Sequence, residues 1–182
     1  EGKVLLCRLY AQSDLEIELL NYDEDMLANW IPALTFQGTV CGIESLTHDI
    51  RRLDIELDTP MSFHAGQFAE ITLPDGGTRR SYSMANAPQE TATLSFIIKT
   101  YAGGKFSGRL ADGLAVGDSV ALEGPFGTSF RNQKHRGGTL LVGGGSGMAP
   151  LLSILCDLVA HQCQDPVRFY YGARGTRDLF YL

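Results

Sequence analysis

Thr139-Leu140-Leu141-Val142-Gly143-Gly144-Gly145-Ser146-Gly147-Met148-Ala149-Pro150 is where the character of this sequence changes. The continuous apolar run Thr139 to Val142 predicts a strand covered on both faces. The glycines then free the backbone to turn tightly, and Pro150 suits the first turn of a helix. Behind it Met148, Leu151, Leu152, Leu155, Leu158 and Val159 recur at helical spacing, and Val167 to Tyr171 reads as a second buried strand. Strand, turn, helix and strand make a βαβ unit, the first crossover of a doubly wound parallel sheet. A glycine turn that opens a helix is also a place where phosphate binds, because uncapped N–H groups and the helix dipole both favour negative charge. The spacing departs from G-x-G-x-x-G and lacks the Gly-Lys-Ser/Thr ending of the Walker sequence.

Upstream of this point the period is two. Phe36 to Ile43 is rich in β-formers, and Leu53, Ile55 and Leu57 alternate with Asp54, Glu56 and Asp58. Gln67 to Leu73 stops at the turn Pro74-Asp75-Gly76-Gly77, and Ser81 to Ala85 follows. Leu94, Phe96 and Ile98 alternate again, and Ser119 to Leu122 runs from Gly117-Asp118 into Gly124-Pro125. Six short strands with Gly and Pro punctuation and no long helix predict a closed antiparallel barrel. Nearer the start, Leu15, Ile17 and Leu19 alternate with Asp14, Glu16 and Glu18 as in a half-buried strand, and residues 21–34, with Pro32, read as a linker.

Composition narrows the class. Of the 182 residues 44% are hydrophobic and 20% charged, as in ordinary globular proteins. A net charge of −6 argues against a nucleic-acid partner, which needs a basic face. The acidic stretch from Asp14 to Asp25 reads as a solvated edge. Cys7, Cys41, Cys156 and Cys163 show no C-x-x-C spacing, so free thiols are expected, with Cys156 packed in the core of its helix. That usage points to a reducing compartment, hence the cytoplasm. His48, His64, His135 and His161 show no partner spacing. No apolar run is long enough to span a membrane, and no signal peptide is visible. The chain opens on Glu1 and closes on an apolar stretch, and it reads as a piece of a longer chain.

Two further motifs carry chemistry. In Arg80-Ser81-Tyr82-Ser83 strand geometry sends Arg80 and Tyr82 to one face, Ser81 and Ser83 to the other. An arginine fork grips a diphosphate at two points, and a tyrosine one pleat away offers a flat ring to a flat heterocycle. In Gly103-Gly104-Lys105-Phe106-Ser107-Gly108 a glycine-rich backbone lets N–H groups converge, with Ser107 expected to cap a short helix and an anion to sit at its start.

In this order and spacing the three motifs resemble the ferredoxin–NADP reductase superfamily over residues 36–182. The resemblance implies a six-stranded antiparallel Greek-key FAD-binding β-barrel, followed by the first part of a Rossmann-like parallel α/β nucleotide-binding domain. It places Arg80 on the FAD pyrophosphate, Tyr82 against the isoalloxazine and Ser83 near flavin N5, with Tyr82 and Ser83 nearest the chemistry. Ser81 and Met84 would flank the flavin through their backbone, with Ile98, Lys99 and Gly127 completing its surroundings. Gly103, Gly104, Lys105, Phe106 and Ser107 match the second pyrophosphate loop. Gly144, Gly145, Ser146 and Gly147 match the loop for NADH or NADPH, and Arg174 would approach the ribose or its phosphate. Glu123-Gly124-Pro125-Phe126-Gly127 resembles the turn that closes the barrel.

Val4-Leu5-Leu6-Cys7-Arg8 with Ser13-Asp14-Leu15-Glu16-Ile17 resembles the tail of a plant-type [2Fe–2S] ferredoxin domain, with Cys7 as its fourth ligand. One thiolate cannot hold the cluster, so it is expected in the parent protein and not in this chain. The order ferredoxin, FAD, NAD is that of reductases serving bacterial multicomponent monooxygenases and dioxygenases, which makes an oxygenase component the expected electron acceptor. The implied domains are 1–34, a ferredoxin remnant with linker; 35–135, the FAD barrel; and 136–182, a partial NAD(P)H domain. The alternatives are a flavin-binding module without turnover and another electron-transfer unit of the same superfamily.

Overall fold

The computed structural model describes residues 10, 12–14, 28–131 and 137–181. Cys7, the strand expected around Leu15 to Leu19 and most of the acidic stretch lie outside them. The chain divides into two compact units, Glu1–Trp30 and Ile31–Leu182, and the fold below is that of the second.

Six antiparallel strands build it: β1 (Leu34–Ser45), β2 (Ile50–Leu57), β3 (Phe68–Thr72), β4 (Arg79–Ser83), β5 (Thr93–Lys99) and β6 (Ser119–Phe126). Helix α1 (Lys105–Asp112) lies between β5 and β6. Their order is β4-β3-β6-β1-β2-β5, so β2 neighbours β5 and β3 neighbours β6, the crossed connections of a Greek key. The alternation seen in the sequence sets which face is buried. Phe36 and Val40 on β1, Leu53, Ile55 and Leu57 on β2, and Leu94, Phe96 and Ile98 on β5 all point into one core. Burying each such side chain contributes about 1.5–3 kcal/mol, which fixes the register. The expected Glu123–Gly127 turn is instead mostly strand, since β6 continues to Phe126 and pairs with Phe68 there.

The expected full closure is only nearly reached. β4 and β5, the two ends of the sheet, meet at the bridge Met84↔Phe96, with Ala85 N–H donating to Ser95 O at 2.7 Å. β4 is five residues long and the chain leaves it at once, so no longer ladder forms there.

After the barrel come β7 (Thr139–Gly143), a 3-10 turn (Gly145–Gly147), α2 (Met148–Ala160) and β8 (Val167–Tyr171), with β7 and β8 parallel. This is the expected βαβ unit, with one correction. Leu141 is 4% exposed, but Leu140 is 62% and Val142 66% exposed, so β7 is covered on one face and not on both. α2 lies on that face, where Leu151 packs close against Gly143. Met148, Ala149, Ser153, Asp157 and Leu158 are the buried residues of α2; Ala149, Ser153 and Asp157 recur every four positions as one stripe, and Cys156 lies exposed outside the core. Cys41 is exposed as well and Cys163 half-buried, and all three thiols are free. A second apolar cluster joins α2 to the outside of the barrel through Met148 and Ala149 against Ile50, Ile97 and Phe180.

Candidate functional site

The incomplete seam positions the site. Beyond the Met84↔Phe96 bridge, β4 and β5 separate around a cleft of about 540 Å³. Arg80, Ser81, Tyr82 and Ser83 form one wall, and Ile97, Lys99 and Tyr101 another. The start of α1, Gly104 to Ser107, closes a third side, and Ser146, Gly147 and Pro150 reach it from the entry to α2. The three glycine- or arginine-bearing motifs, far apart in sequence, therefore share one cleft. As the outer strand of this seam, β4 also leaves backbone groups on its free edge for a ligand to meet.

Two neighbouring arginines on β4 differ in what they touch. Arg79 is neutralised by Glu70 and by Glu123, whose Oε2 lies 2.6 Å from its Nη2. Ser81 joins the same outer group, donating to Glu70 Oε1 at 3.2 Å. Arg80 lines the cleft and, among the described residues, pairs with no carboxylate; its Nη1 donates to the Arg79 carbonyl at 2.6 Å. Its charge is available to an anion. Tyr82 leans over the core, tilted against Phe106 with ring centroids 4.9 Å apart. Burial pushes its phenol up to about 12, so the ring is neutral throughout the working pH range.

The loop before α1 is folded around Ser107. Its Oγ accepts a hydrogen bond from Tyr101 N–H at 3.1 Å. This corrects the expected cap: the helix starts at Lys105 with Gly104 in the capping position, and no side chain caps it. A Cβ on Gly104 would meet Ser107 Oγ and the Tyr101 carbonyl, so glycine is required there by close approach. Gly103 is required for a different reason, its φ of +73°. The uncapped N–H groups of the first turn, with Lys105, face the cleft as a second anion-binding element.

Other expected residues stand apart from this cleft. The side chains of Met84 and Ile98 are fully buried in the barrel core, which leaves them only backbone contact with a ligand. Gly127 packs beside Phe68, and its carbonyl accepts from Gln67 Nε2 at 3.0 Å. Gly103, Gly144 and Gly145 flank the lining residues without being among them. Arg174 is exposed and turned toward Asp49 and Asp178, at 3.5 and 3.4 Å. Ile97 and Tyr101 also line the cleft, as does Pro150, which the sequence marks only as the last residue of the glycine-rich nucleotide stretch. Strand alternation held the signal for Ile97, since it must face opposite to Ile98. No local signal marks Tyr101 or Pro150 as lining residues, because their placement depends on how the loop and α2 pack.

Three of the histidines, His48, His64 and His161, do have partners, and His135 lies outside the described residues. His161 Nδ1 lies 3.1 Å from Asp157 Oδ1, and His64 stacks on Phe130 at 4.6 Å. His48, Asp49 and Asp178 come close enough together to suggest metal ligands, but Lys99 at 2.9 Å and Arg174 already neutralise the two carboxylates. The Lys99 hydrogen bond is the largest influence holding the Asp49 carboxyl below its usual range.

This cleft offers a free guanidinium, an uncapped helix start with a lysine, and a neutral half-buried ring between them. That donor set fits a ligand with a diphosphate and a flat heterocycle, both of which FAD carries. Residues 37–130 match the family model described as oxidoreductase FAD-binding domain, and residues 141–182 that described as oxidoreductase NAD-binding domain. The reductase component of propane 2-monooxygenase from Gordonia sp. (strain TY-5) is 46% identical over 184 residues, covering 100% of this chain and 53% of that protein. The solved ferredoxin reductase in carbazole 1,9a-dioxygenase aligns with a TM-score of 0.77 at 33% identity, over 83% of this chain and 46% of that one. Phthalate dioxygenase reductase, described as a modular structure for electron transfer from pyridine nucleotides to [2Fe–2S], aligns at 0.71 with 27% identity, over 80% of this chain and 46% of that one. The chain spans about half the length of the curated relatives it matches.

Proposed function

This chain belongs to the oxidoreductase FAD-binding domain family, and from that premise we propose that it forms the flavin-holding part of a reductase that draws electrons from NADH or NADPH and passes them to an oxygenase component. The observation that carries this reading is the convergence of Arg80, Tyr82 and the uncapped start of α1 on one cleft. Bound there, FAD would supply a centre able to accept two electrons as hydride and release them singly.

The chain's own residues divide the remaining work. Arg80 and the first-turn N–H groups of α1, with Lys105, hold the pyrophosphate from two sides. Tyr82 would give the isoalloxazine a neutral ring to lie against, with Ser83 in the same wall of the cleft as the residue expected nearest its reactive nitrogen. Ser81 and Met84 contribute backbone groups. Lys99 lines the cleft with its charge paired to Asp49, which keeps the side chain in place. Phe106 packs behind Tyr82 and keeps water from that side of the ring. Ser146 and Gly147 approach from the nucleotide side and would bring the nicotinamide toward the flavin, with Gly144, Gly145 and Arg174 farther along the same nucleotide.

We further propose the domain boundaries 1–34, 35–135 and 136–182, with Cys7 the fourth [2Fe–2S] ligand of a longer protein. No helix among the described residues is long and apolar enough to cross a membrane, and a cytoplasmic location is part of the same reading. The test is the absorption spectrum of the purified chain incubated with FAD and freed of excess. One flavin retained per chain is the expected outcome, and a colourless protein would sink the proposal.

A further inference from the structure

We infer that Asp157 is a positioning residue, the polar half of a two-point joint that fixes the tilt of α2, and with it the β7–β8 sheet, against the barrel. Its consequence for hydride transfer rests on the function proposed above.

Asp157 is 3% exposed on the inward stripe of α2. A carboxylate so placed persists only with close donors; two donate to it from separate segments, and an imidazole lies beside them. Arg131 Nη1, on the segment leaving β6, lies 2.6 Å from Oδ2. Gln89 Nε2, from the loop joining β4 to β5, donates to Oδ1 at 3.1 Å. His161 Nδ1, at the end of the helix, hydrogen-bonds the Asp157 main-chain oxygen at 2.9 Å and lies 3.1 Å from Oδ1. Arg131 is itself fixed, since its N–H donates to Ala65 O at 3.0 Å. Two of the three partners thus belong to the barrel side.

The other attachment of α2 is apolar and lies at its opposite end, where Met148 and Ala149 meet Ile50, Ile97 and Phe180. Apolar contact holds two surfaces together without fixing their angle, because it is non-directional. Between the two attachments Ser153 is fully buried and its hydroxyl has no hydrogen-bond partner, so the middle of the stripe adds no directional contact. Ala149 and Asp157 are about 12 Å apart along the axis at the rise of an α-helix. The apolar end therefore acts as a pivot, and Asp157 is the second point that sets the angle. β7 rides on α2 through Gly143 and Leu151, and β8 is paired with β7. None of the three barrel-side or helix partners lines the flavin cleft.

The test compares wild type with Asp157→Asn, Gln89→Leu and Arg131→Lys. Amide hydrogen exchange is read with and without FAD. In Asp157→Asn, exchange across β7, β8 and the second half of α2 should rise about fivefold or more, with β1 to β6 unchanged. Gln89→Leu leaves no charge unpaired and should shift the same segments less. Arg131→Lys keeps the ion pair and should restore most of the protection. Flavin stoichiometry should stay at the wild-type value. The limiting rate of flavin reduction by NADH should fall about 10–100-fold while the half-saturating NADH concentration moves little, the signature of misorientation. Faster exchange confined to residues 155–163 in Asp157→Asn, with β7 and β8 at wild-type protection, overturns the inference. If Asp157→Asn does not fold, wild-type protection of β7 and β8 in Gln89→Leu overturns it alone. If wild type takes up no FAD, the proposed function fails, and exchange in the flavin-free chains still decides the joint.

Discussion

At the scale of single residues, Arg79 and Arg80 show how a neighbour decides a role. Arg79 pairs with both Glu70 and Glu123, which lie directly across β3 and β6 and would repel without it. Among the described residues Arg80 has no such sink, which is why the cleft keeps an unpaired guanidinium. Arg80→Ala should weaken FAD binding about 10–100-fold, equivalent to about 1.4–2.8 kcal/mol, as measured by flavin fluorescence titration; Arg79→Ala should weaken it far less. Asp49 gives a pH prediction. Its carboxyl is held low mainly by the Lys99 hydrogen bond, so its contribution is complete above the unfolded value of about 3.9 and is lost as pH falls through the lower folded value. Thermal melts between about pH 5 and pH 2 should show a steeper acid loss in wild type than in Asp49→Asn. Tyr82 works on the alkaline side with the opposite sign. Its folded value is raised, so its contribution is complete below its ordinary value of 10.0 and is lost as pH rises toward about 12. Absorbance at about 295 nm should show one tyrosine titrating late in wild type and not in Tyr82→Phe.

At the scale of elements, the strands were legible because their alternation is the cause of their burial. The start of α1 was misread in its detail. A serine at a helix start suggests a cap, but Ser107 lies inside the helix and spends its oxygen on Tyr101 N–H, a loop contact that no local pattern announces. That contact makes a prediction. Gly104→Ala forces Ser107 Oγ aside, and should cost about 1–3 kcal/mol of stability in thermal melts and loosen flavin binding together with it. The unbroken apolar run of β7 implies cover on both faces, yet only one is covered, because an apolar pattern reports what could be buried and not what lies against it. The helical spacing of Met148, Leu151, Leu155 and Leu158 marks the helix, and Met148 and Leu158 are buried as it implies, but it does not announce Ala149, Ser153 and Asp157, which are buried with them. A buried aspartate is illegible in sequence when its partners are 26 and 68 residues away.

At the scale of the whole unit Ile31–Leu182, the architecture turns on one seam. Closing β4 fully onto β5 would have completed the barrel and left no cleft; a short β4 bridged at Met84↔Phe96 keeps the barrel core intact and opens its edge to a ligand. The core beneath is the source of rigidity. Leu53→Ala, at a fully buried position, should cost about 2–5 kcal/mol by denaturant titration. The motifs around the seam were visible in sequence as residue types suited to phosphate and to a flat ring, while their convergence came only with the fold. The most direct measurement is a titration of the purified chain with FAD, followed by absorbance and by flavin fluorescence, alongside Arg80→Ala. Saturation at one flavin per chain in wild type, with affinity reduced at least about tenfold in the variant, is the predicted result. A wild-type chain that retains no flavin, or a variant that binds it as tightly as wild type, would contradict the assignment of this cleft.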